Sequence, residues 1–283
     1  MQPAVRSIAI RRFHDDQWES THDLLAAEEP MEIRLGFGRE NDRQQRTIAV
    51  TMRTPGHDFE LAIGFLYTEG IITSYNDIAS VRYCTDGGTN TDNENSVRVE
   101  LQPEIVPALD RLERNFYTTS SCGVCGKASI DAVMASCGNR SQPIKDSFAV
   151  SKELLLSLPA TLRKLQTVFE HTGGLHASAI FNEQGELILS REDVGRHNAL
   201  DKLIGAAVVQ DKLPFSNHIL LLSGRASFEL IQKAAMAKIP MVAAVGAPSG
   251  LAASLATEFG ITLIGFLREQ RFNIYTGTQR IIV

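Results

Sequence analysis

Hydrophobic and polar positions alternate over Met31–Phe37 and again over Arg46–Arg53, a period of two that predicts a pair of strands around the charged loop Gly38–Gln45. Residues 1–30 ahead of them are polar and weakly periodic, end in Glu28-Glu29-Pro30, and predict an extended arm. Beyond the turn Thr54-Pro55-Gly56, Leu61, Ile63, Phe65 and Leu66 predict a mostly buried helix over Asp58–Glu69, stopped by Gly70. Ile78–Cys84 and Ser96–Leu101 predict a hairpin joined by the polar loop Asp86–Asn95. This part of the chain therefore predicts an α+β unit with antiparallel pairing.

Past Arg114 the rhythm changes. Ser151–Phe169 predicts an amphipathic helix, interrupted or bent at Pro159. From Leu175 strands and helices take turns. Ala177–Phe181 and Glu186–Ser190 pair around Asn182–Gly185, and helix Asn198–Val209 follows. Strand His218–Leu222 leads to helix Phe228–Lys238, strand Met241–Val245 to helix Leu251–Phe259, and the series ends on strand Ile261–Phe266. Such spacing predicts a largely parallel sheet covered by helices. The expected class is α/β, with a boundary near residues 115–119 that separates a smaller α+β domain, 1–117, from a larger one, 118–283.

Composition narrows the function classes. A formal charge of −5 argues against a general nucleic-acid binder, because no dominant basic field is available. Four cysteines in 283 residues do not make a secreted disulfide scaffold. Met1–Asp16 mixes arginines, Pro3 and acids without an apolar run, and no stretch is apolar for long enough to span a bilayer. These features predict a cytoplasmic protein with reduced thiols and no membrane or nucleic-acid partner.

The candidate chemistry centres on Ser120-Ser121-Cys122-Gly123-Val124-Cys125-Gly126-Lys127. Helix formers follow over Lys127–Met134, and Ser120 or Ser121 suits an N-cap, so both cysteines are expected at a helix start. There the exposed N–H groups and Lys127 stabilise a thiolate. A structural disulfide or half a zinc site would share the spacing. Zinc nucleobase deaminases, however, require His-x-Glu and then Pro-Cys-x-x-Cys. No proline precedes Cys122, His57-Asp58-Phe59-Glu60 has the wrong spacing, and no second Cys-x-x-Cys exists. With His171, His176 or His197 as conceivable ligands, zinc is disfavoured. The polar, glycine-rich setting suits a mobile cysteine that visits two partners, as a group carrier must.

Polar residues also collect where strands hand over to helices, the edge on which open α/β sheets bind ligands. Arg191–Asn198, Ser223-Gly224-Arg225-Ala226-Ser227 and Gly246-Ala247-Pro248-Ser249-Gly250 are three such turns. Together they would line a pocket for an anion or nucleotide. His176 after Gly173-Gly174, and Arg268 and Arg271 after the last strand, are further candidates.

These residues resemble the formate dehydrogenase accessory sulfurtransferase family, FdhD, from about Thr54 to the C-terminus. The resemblance rests on Thr54-Pro55-Gly56 with Leu61-Ala62-Ile63-Gly64-Phe65-Leu66, Ser120–Lys127, and Thr172-Gly173-Gly174-Leu175-His176. It also rests on Arg191–Lys202, Ser223–Ser227 and Thr262-Leu263-Ile264-Gly265-Phe266. It implies a sulfurtransferase whose Cys122 takes persulfide sulfur from a cysteine desulfurase. The sulfur then goes to the molybdenum (or tungsten) bis(molybdopterin guanine dinucleotide) cofactor of the formate dehydrogenase catalytic subunit. Cys125 would attack the persulfide or tune its neighbour. The resemblance further implies a cytidine-deaminase-like C-terminal domain without the deaminase zinc, and a homodimer. By the same analogy Phe266, Leu267, Arg268, Glu269, Gln270 and Arg271 contribute to holding the cofactor. Ser223, Gly224, Arg225 and His197 join them as candidate cofactor contacts, and His197 or Asp193 is a candidate for positioning the metal centre or its protons. The residues 246–250 depart from the family's more frequent Ser-Ala-Pro-Thr-Ser by losing two hydroxyls. A non-catalytic cofactor-binding chaperone remains the competing reading.

Overall fold

The structure is a computed structural model that describes residues 2–84, 92–107 and 148–283. The cysteine segment, its expected helix and the expected domain boundary lie outside those residues. Strands β1 (Val5–His14) and β2 (Gln17–Ala26) form a hairpin where an arm is expected. Its turn is Asp15-Asp16, both with left-handed φ, 49° and 57°. Paired left-handed residues match the twist of a tight hairpin, and aspartate tolerates that conformation better than most side chains. Because both strands are mostly exposed, they carry no apolar alternation to read.

A four-stranded sheet follows, in the order β4–β3–β6–β5, built from β3 (Glu29–Phe37), β4 (Gln44–Arg53), β5 (Ile78–Tyr83) and β6 (Ser96–Leu101). Met31, Ile33 and Leu35 alternate into the core beside Val97, Val99 and Leu101. The pairing is not wholly antiparallel: β3 runs parallel to β6. Helix α1 (Asp58–Thr68) lies between β4 and β5 in sequence, which gives the chain the crossover that a parallel partner requires.

The second sheet has the order β13–β12–β11–β10–β8–β9. Only β10 (Ile219–Leu222), β11 (Met241–Ala244) and β12 (Thr262–Arg268) run parallel. β8 (His176–Phe181), β9 (Leu187–Asp193) and β13 (Arg271–Thr276) are antiparallel to their neighbours, so the sheet is mixed rather than largely parallel. The β8–β9 and β12–β13 connections are short hairpins, which can join only antiparallel strands. A small parallel pair, β7 (Val150–Ser151) and β14 (Ile281–Ile282), ties the C-terminus down.

Both faces of this sheet are covered. Leu220, Leu222, Val242 and Ala244 join one core with helices α4 (Arg196–Val209), α5 (Phe228–Met236) and α6 (Gly250–Glu258). Ile219, Leu221, Met241 and Ala243 point the other way, with Leu155, Leu158 and Leu162 of α2 (Lys152–Leu165). Helix α2 continues through Pro159 and ends at Gln166 instead, before the short α3 (Thr167–Thr172).

The first core runs on into the four-stranded sheet through α1 and α4. These helices cross at Gly64 and Gly205. A Cβ on Gly64 would run into the Asp201 carbonyl, and one on Gly205 into the Glu60 carbonyl. Backbone contact of this kind is open only to glycine.

Candidate functional site

The site forms where the parallel strands end. β10 leads into Ser223-Gly224-Arg225, β11 into Val245-Gly246, and β12 ends on Arg268. β8 runs the opposite way, so its first residue, His176, arrives at this same edge, and α4 begins there with Arg196. These eight residues line a cleft of about 270 Å³.

Backbone bonds stitch the turns together. Ser223 Oγ accepts from Ala177 N at 2.8 Å, and Ser223 N donates to Ala177 O at 3.0 Å. Gly246 N donates to Gly224 O at 2.9 Å, while Phe266 N donates to Gly246 O at 3.0 Å. A Cβ at position 246 would lie 2.8 Å from Gly224 O and 2.9 Å from Arg225 N, so the absent side chain lets two turns meet. Ser249, the surviving hydroxyl of this turn, caps α6 by accepting from Ala252 N.

The lining is cationic: Arg196, Arg225 and Arg268 with His176, and no carboxylate among these residues. Arg268 is held by Nη1 bonds to Val245 O at 2.6 Å and Leu267 O at 3.0 Å. Arg225 is exposed. Arg196 Nε is buried without a hydrogen-bond partner among the described residues. A buried guanidinium donor left open is costly unless something else accepts from it. Burial holds the His176 imidazole below its ordinary pKa, and Arg196 and His197 add to that effect. Beside the cleft, His197 Nε2 lies 3.1 Å from Ser227 Oγ and 3.7 Å from Glu229 Oε2. Burial would raise Glu229, but hydrogen bonds from His197 and Ser227 hold it down at about 2.

Asp193 anchors this edge from beneath. Fully buried, it accepts from Thr54 N at 3.1 Å, Gly195 N at 2.8 Å and Asn198 Nδ2 at 3.1 Å, and pairs with Lys202 at 2.7 Å. Lys202 also donates to Thr54 O at 2.7 Å. The Thr54-Pro55-Gly56 loop is thereby latched to the β9–α4 turn. Open cationic donors on a rigid edge are suited to a ligand carrying more than one negative charge.

A family model described as FdhD/NarQ matches residues 26–282. The chain belongs to the FdhD/NarQ family. Proteins named sulfur carrier protein FdhD resemble it over nearly their whole length. The one from Streptomyces coelicolor is 51% identical, covering 96% of this chain and 94% of its own. That from Mycolicibacterium paratuberculosis is 52% identical over 92% of each. An archaeal relative from Saccharolobus solfataricus is 40% identical over 98% of each. A crystal structure described as that of a formate dehydrogenase accessory protein from Desulfotalea psychrophila superposes with a TM-score of 0.72. It covers 99% of this chain and all of its own at 21% identity, a likeness of fold.

Measured against the FdhD resemblance, Ser223, Gly224, Arg225 and Arg268 come together in the cleft. His197 follows Arg196 in α4 and engages Ser227 and Glu229. Phe266 is 39% exposed with φ 52°, but Leu267 is fully buried in the second core and its side chain is unavailable to a ligand. A register shift between Gly265 and Arg268, with Phe266 in a left-handed backbone, breaks the alternation of β12 and puts Leu267 in the same core as Ile264. Glu269 and Gln270 form the exposed β12–β13 turn, and Arg271 pairs with Arg268 across the ladder. Asp193 is engaged by Thr54, Gly195, Asn198 and Lys202, contacts that position the loop. Cys122 and Cys125 lie outside the described residues. Arg196 belongs to the turn Arg191–Asn198 that the sequence offers as part of an anion pocket, and the structure picks it out from that turn as a lining residue. Among the described residues no helix is long and apolar enough to cross a membrane.

Proposed function

We propose that this chain is a sulfur carrier for formate dehydrogenase maturation, with Cys122 as the persulfide-bearing residue and the cationic cleft as the seat of a diphosphate-bearing cofactor. The observation that carries the cofactor half is the buried Arg196 Nε, an open donor in a cleft lined by two further arginines. The sulfur half is supported by the names of the relatives, sulfur carrier proteins at up to 52% identity, together with the Cys-x-x-Cys segment. The substrate is then the bis(molybdopterin guanine dinucleotide) complex of molybdenum or tungsten. Its diphosphates would meet Arg196, Arg225 and Arg268, whose forked donors suit phosphate oxygens.

In the sulfur step, the Cys122 thiolate attacks the outer sulfur of a desulfurase persulfide. The desulfurase thiolate leaves, and Cys122 becomes the persulfide. If the Cys125 thiolate then attacks the inner sulfur, a Cys122–Cys125 disulfide forms and hydrosulfide is released, with no outside electrons required. On this reading the protein works in the cytoplasm as a homodimer, its C-terminal half is cytidine-deaminase-like, and its client is the formate dehydrogenase catalytic subunit.

Intact-protein mass after incubation with a cysteine desulfurase and cysteine tests the carrier role. A one-sulfur adduct that reductant removes, and that is absent from Cys122→Ala, is the expected result. No adduct on the wild type beside a demonstrably active desulfurase would leave a cofactor-binding chaperone instead.

A further inference from the structure

One of the four cationic-type side chains in the cleft differs in kind from the others. Arginine keeps its charge at every physiological pH. Arg196, Arg225 and Arg268 are therefore constant, whereas the imidazole of His176 is not.

The ring sits on a fixed frame. Its neighbour Ala177 is bonded to Ser223 in both directions, at 2.8 and 3.0 Å, and a Cβ on Gly224 would lie 3.0 Å from His176 Nδ1. The surrounding charges come from each packed element: Asp193 at the end of β9, Arg196 and His197 on α4, Arg225 after β10, and Arg268 after β12. Burial, Arg196, His197 and Arg225 oppose protonation of the ring, while Asp193 favours it. Asp193 is itself neutralised by Lys202 at 2.7 Å, and Glu229 nearby is occupied by His197 and Ser227. What the ring lacks is a free negative charge, which a phosphate group seated among the arginines would bring.

We propose that His176 is a proton-linked contact of this cleft: a multiply charged phosphate group binds together with a proton, which the imidazole takes from solvent and then shares in a charged hydrogen bond. The inference deepens the cofactor-binding reading and rests on it. The sign follows from linkage. A ligand that raises the His176 pKa binds best where the ring is already protonated, and the gain disappears as pH rises through the ligand-bound midpoint. Between the two midpoints affinity falls by about tenfold per pH unit for one linked proton. Loss of that proton would help the cleft release its cargo.

The test uses the whole chain with inorganic pyrophosphate as the probe. Ring-proton NMR follows the titration of His176, assigned by the signal missing from His176→Gln, without and with saturating pyrophosphate. In parallel, calorimetry gives the affinity of both proteins between pH 5.5 and pH 8, with the variant cancelling the titration of pyrophosphate itself. The expected result is an upward displacement of the midpoint by about one pH unit or more, and a wild-type advantage over His176→Gln that shrinks as pH rises. Saturable binding with an unmoved midpoint, or an advantage independent of pH, overturns this inference and leaves the cleft reading standing. No binding of pyrophosphate to the wild type overturns both. Because the midpoint is read on the wild type, a poorly folded variant does not rescue the idea.

Discussion

The buried seam between the two sheets and the cleft at the strand ends both concentrate charge, yet they treat it in opposite ways. In the seam each strong group has a partner of opposite charge, although Arg53 Nη1 is left open among the described residues. Asp193 has Lys202, Thr54, Gly195 and Asn198; Asp201 has Lys233 at 2.8 Å and Thr68 at 2.9 Å; Arg53 and Asp58 make a two-pronged pair at 2.9 and 3.1 Å. In the cleft, Arg196 Nε has no partner among the described residues, Arg225 is exposed, and His176 is kept short of its proton. Charges paired with one another specify how the sheets dock. Cations gathered in a cleft with no carboxylate among its described lining residues mark where something else is to be held.

Breaking the seam should produce the largest effect. Lys202→Met strands Asp193 as a lone buried charge, and removing one partner of such a pair costs about 3–5 kcal/mol. Urea denaturation should show a midpoint shift of that size, while Asp193→Asn/Lys202→Met recovers part of it because no lone charge remains. A double variant no more stable than the single would show that charge is not the cause. Gly205→Ala should come next. Its methyl group runs into the Glu60 carbonyl, so α1 and α4 must separate, at roughly 1–3 kcal/mol. An unchanged denaturation midpoint would mean that the crossing is looser than the structure has it.

The seam also shows what a sequence can and cannot reveal. The apolar run Ile219–Leu222 is legible as a strand buried on both faces, and its side chains do divide between the two cores. The helix over Asp58–Thr68 is equally legible, from its apolar spacing and the glycine after it. Parallel pairing of β3 with β6 is not, because register between strands so far apart is set by the path of α1 rather than by either strand. The β1–β2 hairpin leaves little trace because exposed strands need no apolar alternation. In the cleft, the turn residues Ser223, Gly224 and Arg225 stand out locally, as glycine and arginine beside an apolar strand. Arg196 matters only because tertiary packing buries its Nε next to them. Leu267 shows a further limit: a register shift turns its side chain into the core while the strand end beside it borders the cleft, and a shift of this kind leaves no mark in the sequence.

A half-buried pair at the seam's rim should respond to pH. Burial would raise Glu60, but Arg191 at 2.6 Å and His57 hold it down at about 2, well below its ordinary 4.5. A depressed carboxylate contributes stability that is complete above its unfolded pKa and is lost as pH falls through the folded one. The wild type should therefore lose stability between about pH 4.5 and pH 2. Arg191→Gln should cost about 1–2 kcal/mol at neutral pH and flatten that acid limb. Parallel acid limbs in the two proteins would sink the assignment.

The smallest effect on stability is expected in the cleft, and there it is the informative one. Arg225→Gln removes an exposed charge, so thermal stability should stay within about 0.5 kcal/mol of wild type. A phosphate group would nevertheless lose a forked partner, and pyrophosphate affinity should drop about tenfold, with a weaker dependence on salt. Arg196→Gln should act similarly on binding. Its stability should be unchanged or slightly improved, since a buried donor without a partner is removed. This divergence separates the two populations of charge by experiment, because a structural arginine would lose stability and affinity together. If Arg196→Gln instead destabilised the protein as severely as Lys202→Met while pyrophosphate still bound, the cleft would belong to the fold.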